Sequence, residues 1–149
     1  MSEEARYLVV DGHSVIFQRN DLRDLHARNT RMARQKLQDE LARLHDTSPW
    51  RITLVYDGKQ GTTDPVEPGK MAVIYSKAEQ TADSIIERLV ASAPKPHQVH
   101  VVTADHAEAL MVESSGAVVH GPLWLEGLLR QTEIDFDITL EKVRKSAKW

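Results

Sequence analysis

Short apolar runs occur along the chain and predict five β-strands, at residues 6–10, 52–56, 71–75, 98–103 and 116–119. The first run, Tyr7-Leu-Val-Val10, is continuously apolar and does not alternate with polar residues. Continuous runs are typical of strands that are covered on both faces of a parallel sheet. The pattern therefore predicts a buried sheet.

Segments with helical periodicity lie between these runs, and they predict helices at residues 30–45, 81–93, 105–112, 121–129 and 138–148. Residues 13–28 are polar and irregular, with a short apolar interruption at Val15, Ile16 and Phe17 that could be a helical turn. Because strands and helices alternate, we expect an α/β fold: a three-layer α/β/α sandwich with a mostly parallel sheet and right-handed crossovers.

Four aspartates follow the predicted strands. Asp11 and Asp57 each end an apolar run and precede a glycine, Asp105 follows the fourth run, and Asp83 falls in the first turn of the helix after the third. Ligands of open α/β sheets bind at the carboxyl ends of the strands, so all four carboxylates are predicted to meet at one edge. Clustered carboxylates repel one another, and they persist only with raised pKa values or a bound cation.

The chain has no cysteine, so any metal must be held by oxygen or imidazole. Carboxylate oxygens suit Mg²⁺ or Mn²⁺, which also bind phosphate oxygens. The implied reaction is phosphodiester hydrolysis by a water whose pKa the metal lowers. Two simpler interpretations remain open: Asp83 as a first-turn aspartate favoured by the helix dipole, and Asp105 as a helix N-cap.

At 149 residues the chain has the length of one ordinary domain, and its 41% hydrophobic and 28% charged content is near the globular average. We expect a single domain over residues 1–149, with residues 133–149 as a charged helical extension. Without a long apolar stretch, we expect a soluble, cytoplasmic protein with no membrane partner. The net charge of −3 does not favour binding to nucleic acid through bulk electrostatics.

Four segments resemble successive motifs of the YacP-like branch of the NYN ribonucleases. They are Val-Val-Asp-Gly-His-Ser-Val-Ile at residues 9–16, Leu-Val-Tyr-Asp-Gly at 54–58, Tyr-Ser-Lys-Ala-Glu-Gln-Thr-Ala-Asp at 75–83 and Val-Val-Thr-Ala-Asp at 101–105. The resemblance implies a PIN-like fold and assigns catalytic, metal-binding roles to Asp11, Asp57, Asp83 and Asp105. The family's first motif usually reads Asp-Gly-Tyr-Asn, whereas this chain has His13 and Ser14. Ser14 keeps a short polar side chain that can support a carboxylate, and we include it among the catalytic residues.

Basic residues provide candidate RNA contacts. Between residues 19 and 43 there are seven basic residues against four acids, and Lys77 lies near the predicted active edge. His13 could stack on a base, position a water or be simply solvated. The candidate RNA-binding residues are Lys77, Arg19, Arg23, Arg31, Arg34 and His13.

The first functional hypothesis is a metal-dependent endoribonuclease that cleaves single-stranded or loop RNA with Mg²⁺ or Mn²⁺. Its partner would be RNA, and mRNA on the ribosome is one candidate. The second is a catalytically silent RNA-binding or ribosome-associated module of the same fold, which the change at His13 and Ser14 motivates. A phosphatase or phospho-acceptor domain is a weaker third, because no Asp-x-Asp nucleophile pattern follows the first strand. The sequence leaves the oligomeric state open.

Overall fold

A five-stranded sheet forms the centre of the computed structural model, which describes residues 6–58, 69–77 and 79–147. The strands are β1 (Arg6–Asp11), β2 (Trp50–Tyr56), β3 (Ala72–Tyr75), β4 (Val99–Val102) and β5 (Val118–His120). Their order across the sheet is β3-β2-β1-β4-β5, and every neighbouring pair is parallel. The carboxyl ends of all five strands therefore point to the same edge.

Helices cover both faces of the sheet. They are α1 (Gly12–Gln18), α2 (Asn20–Arg28), α3 (Thr30–Thr47), α4 (Ala82–Ser92), α5 (His106–Ser114) and α6 (Pro122–Ser146). Alternation along β1 divides the core. Leu8 and Val10 pack with apolar residues of α1, α2, α3 and α6, whereas Val9 packs with those of α4 and α5. The predicted three-layer α/β fold with a parallel sheet is confirmed.

Residues 13–28 form two helices, α1 and α2, where the sequence suggested only a helical turn at Val15–Phe17. Tertiary burial stabilises them: Val15, Ile16 and Leu22 are fully buried in the core on this face of the sheet. Their spacing is too short and irregular to show as a periodic pattern in the sequence. Packing against the sheet therefore stabilises two helices that the local sequence pattern does not predict.

The two helices predicted after Gly121 are one continuous helix, α6. Residues 130–137 are mostly polar, with Ile134 and Phe136 as the apolar exceptions, so they resemble a loop in the sequence, but they include neither glycine nor proline. Thr132 also donates its hydroxyl to the Leu128 carbonyl at 2.9 Å, a back-bond that a helix accommodates. A polar stretch without a helix breaker thus continues the helix.

Close packing, and not a conformation that only glycine can adopt, explains Gly12. Its φ is not positive, and a Cβ atom built there would lie 2.2 Å from Cε1 of Tyr56. The fully buried Tyr56 ring therefore occupies the space that any larger residue would need. Glycine after Asp11 lets α1 start directly against β2.

Most of the long loop predicted at residues 58–69 lies outside the described residues. Within the described part of the chain, no helix has the length and apolar character needed to cross a membrane.

Candidate active site

Strand alternation aims Asp11 at the layer formed by α4 and α5. Asp11 is the last residue of β1 and lies on the same face as Val9, which packs in the core beneath those two helices. The carboxylate is buried and caps α1 by accepting the Ser14 amide at 3.5 Å. One face of the sheet edge thus receives the first acid.

Two more carboxyl groups meet Asp11 there, one from each neighbouring helix. Asp83 lies in the first turn of α4 and Glu108 in the first turn of α5. One oxygen from each of Asp11, Asp83 and Glu108 lies within 4.8 Å of the other two. The sheet and two helix starts therefore build a three-carboxylate cluster.

Glu108 is the most buried member of this cluster and was not predicted from the sequence. It is only 2% exposed, and no N–H or hydroxyl group of the described residues hydrogen-bonds to its buried Oε1. Burial raises the pKa of Glu108 to about 9, and the neighbouring Asp11 and Asp83 charges add to the rise. Without a cation the carboxyl group is therefore neutral at pH 7.

Thr103 joins Glu108 to Asp11. Its hydroxyl lies 2.8 Å from Glu108 Oε2 and 3.2 Å from Asp11 Oδ2, and it has a single proton to donate. When Glu108 is protonated, Thr103 can accept from Glu108 while donating to Asp11. The network is satisfied by one proton in the cluster.

Asp83 shares this electrostatic strain. Burial raises the pKa of its carboxyl group, the charges of Asp105, Asp11 and Asp57 raise it further, and the chance to accept a proton shared with Glu108 opposes the rise. Asp11, Asp57 and Asp105 therefore lie close enough to Asp83 for their charges to raise its pKa. A proton between Asp83 and Glu108, or a cation among the carboxylates, relieves the repulsion.

The cluster fits a hard divalent cation. It offers oxygen ligands only, from a preformed group with an unpartnered buried oxygen at Glu108. Oxygen ligands of this kind suit Mg²⁺ and Mn²⁺. Asp11, Asp83 and Glu108 are the residues that could hold such an ion.

Asp57 lies beside the cluster and holds the start of α4. Its Oδ1 accepts the Ala82 amide at 2.6 Å and is 3.4 Å from the Ser76 hydroxyl. The bond to Ala82 fixes the turn that carries Asp83. The structure therefore gives Asp57 a positioning contact at the active edge, next to the group that contains Asp11 and Asp83.

Asp105 adopts the N-cap role that the sequence left open. Its Oδ1 accepts the amides of Ala107 and Glu108 at 2.9 and 3.1 Å, and the residue is exposed. The cap orients the first turn of α5 and so places Glu108. Asp105 acts on the cluster through its charge and through the helix that it caps.

Ser14 supports Asp11 as predicted from its position in the motif. The Ser14 hydroxyl donates to Asp11 Oδ2 at 2.8 Å and accepts the Ala104 amide at 3.0 Å. It thereby links the start of α1 to the end of β4 across the carboxylate. Serine at this position keeps a hydrogen-bond donor on the buried acid.

His13 is packed among aromatic rings and is not simply solvated. It makes an edge contact with Tyr56 at 5.6 Å between ring centroids and lies 6.0 Å from Phe17. Burial lowers the pKa of His13, and the positive charge of Arg34 adds to this. The imidazole is thus kept neutral, which suits stacking or hydrogen bonding better than a contact with phosphate.

Arg34 lies over the same aromatic group. Its guanidinium is 5.2 Å from the Tyr56 ring and 5.7 Å from the Tyr75 ring, and its NH2 is 3.5 Å from His13 Nε2. The buried Nε has no hydrogen-bond partner among the described residues. Arg34 is the candidate RNA-binding arginine that the structure places beside His13 and the active edge.

The other candidate RNA-binding residues are distributed differently. Arg19 is largely buried in ion pairs with Asp21 at 2.8 Å and Glu40 at 2.9 Å, so its side chain ties α2 to α3. Arg23, Arg31 and Lys77 are exposed, and Lys77 follows β3 at the carboxyl edge. Lys77 is therefore the exposed basic residue of this group at the active edge.

A separate concavity of about 460 Å³ opens near the start of β1, where Tyr7, Arg51 and Leu89 are among the lining residues. Among the described residues, no carboxylate lines it. The acid cluster instead lies at the carboxyl edge of the sheet, away from this concavity.

Glu108 carried a weak sequence signal that was not interpreted. It stands three residues after the N-cap Asp105, where a glutamate ordinarily completes a capping box. In the sequence, Thr103 is only the last residue of the strand predicted at residues 98–103. Thr103 follows Val102, which pairs with Val10, so strand alternation puts Thr103 on the same face of the sheet as Asp11. The Asp-x-x-Glu spacing from Asp105 is the feature that could have indicated Glu108.

Fold and site together define an α/β domain of the ribonuclease-like type with an acidic cluster at the carboxyl edge of its sheet. Residues 8–149 match the YacP-like NYN domain family, and the chain belongs to that family. The predicted family is therefore confirmed, and domains of this family are generally nucleases.

Relatives from Bacillus subtilis agree with this assignment. The chain is 30% identical over 114 residues to the uncharacterized protein YacP of strain 168, covering 74% of this chain and 67% of that protein. A crystal structure of a mutant of Rae1 (YacP) superposes with a TM-score of 0.81 at 26% identity, over 95% of this chain and 86% of the other. A second Rae1 (YacP) crystal structure gives 0.78 at 26% identity, over 97% and 83%.

Proposed function

We propose that this protein is a divalent-metal-dependent endoribonuclease that hydrolyses phosphodiester bonds in single-stranded or loop RNA in the cytoplasm. The observation that carries the proposal is the cluster of Asp11, Asp83 and Glu108 with its unpartnered buried oxygen. Membership of a family whose domains are generally nucleases supports the same reaction class.

The residues of the site have distinct roles in this proposal. Asp11, Asp83 and Glu108 hold Mg²⁺ or Mn²⁺, and Ser14 and Thr103 fix the orientation of the Asp11 carboxylate. Asp57 and Asp105 hold the first turns of α4 and α5 and contribute negative charge. A bound ion would lower the pKa of a hydrolytic water and stabilise charge on the phosphoryl oxygens.

Helix orientation favours an anionic substrate at this edge. The amino ends of α4 and α5 lie beside the cluster, because Asp83 and Glu108 occupy their first turns. Helix amino ends carry partial positive charge and attract phosphate groups. The negative field of the carboxylates is thereby offset where the backbone of RNA would approach.

RNA is bound in this proposal by the side chains beside the acids. Arg34 and Lys77 contact phosphates, and His13 with the half-exposed Phe17 offers rings for an unpaired base. Stacking of this kind requires bases that are free of a duplex. The substrate is therefore single-stranded or looped, and mRNA on the ribosome belongs to this class.

The test is cleavage of an end-labelled single-stranded RNA in Mn²⁺ by purified wild type and by Asp11→Asn, Asp83→Asn and Glu108→Gln. Glu113→Gln is the matched control, because Glu113 is an exposed acid on the same helix as Glu108. We expect the three cluster variants to lose at least about 100-fold in rate and the control to match wild type.

Equal activity in all five proteins would exclude the assigned site. Salt-sensitive RNA binding without cleavage in any divalent ion would instead identify the catalytically silent module. Loss of cleavage on adding a chelator, with recovery on adding Mn²⁺, is required for the metal-dependent reaction.

A further inference from the structure

The distal half of α6 extends past the domain. Leu125 and Leu129 are buried, but every residue from 133 to 147 is exposed. Near the start of this exposed part, Glu133 forms an ion pair with Arg43 at 3.6 Å. At 1.5 Å per residue, this free part is about 22 Å long.

This exposed part carries an apolar stripe that continues the buried face of the helix. Phe136, Leu140, Val143 and Ala147 recur at intervals of four, three and four residues, in phase with the buried Leu129. Their spacing is the heptad spacing of helix-to-helix seams. Phe136 and Val143 are 48% and 57% exposed, so the stripe faces solvent in this chain.

Charge changes sign along the same segment. The acids Glu133, Asp135 and Asp137 precede Leu140, and the bases Lys142, Arg144 and Lys145 follow it closely, with Glu141 between the two groups. A second copy of the helix placed antiparallel would lay its basic half against the acidic half of the first. A parallel copy would place like charges side by side.

The register of the stripe makes this complementarity specific. In an antiparallel pair centred near Leu140, Phe136 lies beside the Val143–Arg144 turn of the second copy, and the two Leu140 side chains lie side by side. Asp137 and Arg144 flank the stripe on the same side, since they are seven residues apart. Antiparallel pairing places each Asp137 against the Arg144 of the second copy, twice by symmetry.

We propose that the distal part of α6, residues 133–147, is a self-association surface that pairs with the same segment of a second copy in an antiparallel arrangement. The proposal is independent of the ribonuclease activity. The short seam gives a reversible dimer whose population depends on concentration.

Sedimentation velocity over a concentration series tests the proposal. We expect the wild type to move from monomer to dimer as concentration rises, and Leu140→Gln to remain monomeric. Ile138→Gln is the control because Ile138 is also exposed, at 51% against 37% for Leu140, but lies outside the stripe. Its dimerisation should equal that of wild type.

Charge reversal tests the orientation. Asp137→Lys and Arg144→Glu should each weaken self-association by about tenfold, because each makes both symmetric pairs repulsive. An equimolar mixture of the two variants should associate again, since both pairs between unlike chains are then attractive. Far-ultraviolet circular dichroism checks that α6 remains helical in each variant.

Three results would overturn the proposal. The first is a wild type that stays monomeric at every concentration, whether or not α6 binds added RNA. The second is equal loss from Leu140→Gln and Ile138→Gln. The third is a mixture of the charge variants that associates no better than either variant alone.

Discussion

Ser14 donates a hydrogen bond to the buried carboxylate of Asp11 at 2.8 Å, in the motif where this chain differs from the usual family pattern. The same hydroxyl accepts the Ala104 amide, so it connects α1 to the end of β4. A serine here therefore provides the polar contact that a buried acid needs. This geometry favours a retained active site over a silent module.

Removing that hydroxyl should reduce cleavage without unfolding the protein. We expect Ser14→Ala to lower the rate in Mn²⁺ by about 10-fold or more, because residues that orient a metal ligand have effects of this size. Ser14→Asn, which introduces the amide usual in the family, should keep most of the activity. Equal rates for Ser14→Ala and wild type would remove Ser14 from the site.

Gly12 should tolerate no larger side chain. Gly12→Ala places a Cβ atom against the Tyr56 ring, and we expect the free energy of unfolding to fall by about 1–3 kcal/mol. Gly127→Ala is the control, because Gly127 lies within α6 with open space around it and should gain about 0.5–1 kcal/mol. Urea unfolding curves measure both, and an unchanged Gly12→Ala would contradict the packing.

Much of the fold follows from local patterns in the sequence. The apolar runs of β1 and β2 and the capped α4 are each fixed by neighbouring residues, and α4 has the capping box between Thr81 and Ser84. The helices α1 and α2 could not be predicted in this way, because Val15, Ile16 and Leu22 are buried only through tertiary packing.

Part of the acidic site could also be predicted from the sequence. Asp11 and Asp83 stand where strand ends and helix starts converge, so topology alone brings them together. Glu108 resembles an ordinary capping glutamate until the sheet buries it beside Thr103. Burial and the missing hydrogen-bond partner, which define its role, are properties of the folded chain only.

Stability of the metal-free protein should depend on pH through Glu108. The folded-state pKa is raised from an ordinary value of 4.5 to about 9, so the folded state favours the neutral acid. The stabilisation is complete below pH 4.5 and is lost as pH rises towards 9. We therefore expect the melting temperature of chelator-treated protein to fall over this range.

Glu108→Gln should remove this pH dependence, because the amide stays neutral. At pH 8 without metal, the variant should be more stable than wild type, because the cost of ionising the buried Glu108 applies only to wild type. Added Mn²⁺ should stabilise wild type and leave the variant unchanged. Parallel pH profiles for the two proteins would show that Glu108 titrates normally.

RNA affinity should depend on Arg34. We expect Arg34→Gln to weaken binding and to reduce the salt dependence by about one phosphate contact. Arg88→Gln is the control, because Arg88 is exposed on α4. Fluorescence anisotropy with a labelled single-stranded RNA, at several salt concentrations in Ca²⁺ to prevent turnover, measures both. Identical salt slopes for the two variants would exclude a phosphate contact at Arg34.

The position of a bound metal ion would show whether the three carboxylates form the metal centre. Crystals soaked in Mn²⁺ and measured at the manganese absorption edge should show an anomalous peak within coordination distance of Asp11, Asp83 and Glu108. Crystals of Glu108→Gln grown in the same way should lack it. A peak held elsewhere, or no peak at saturating Mn²⁺ in wild-type crystals, would contradict the three-carboxylate centre.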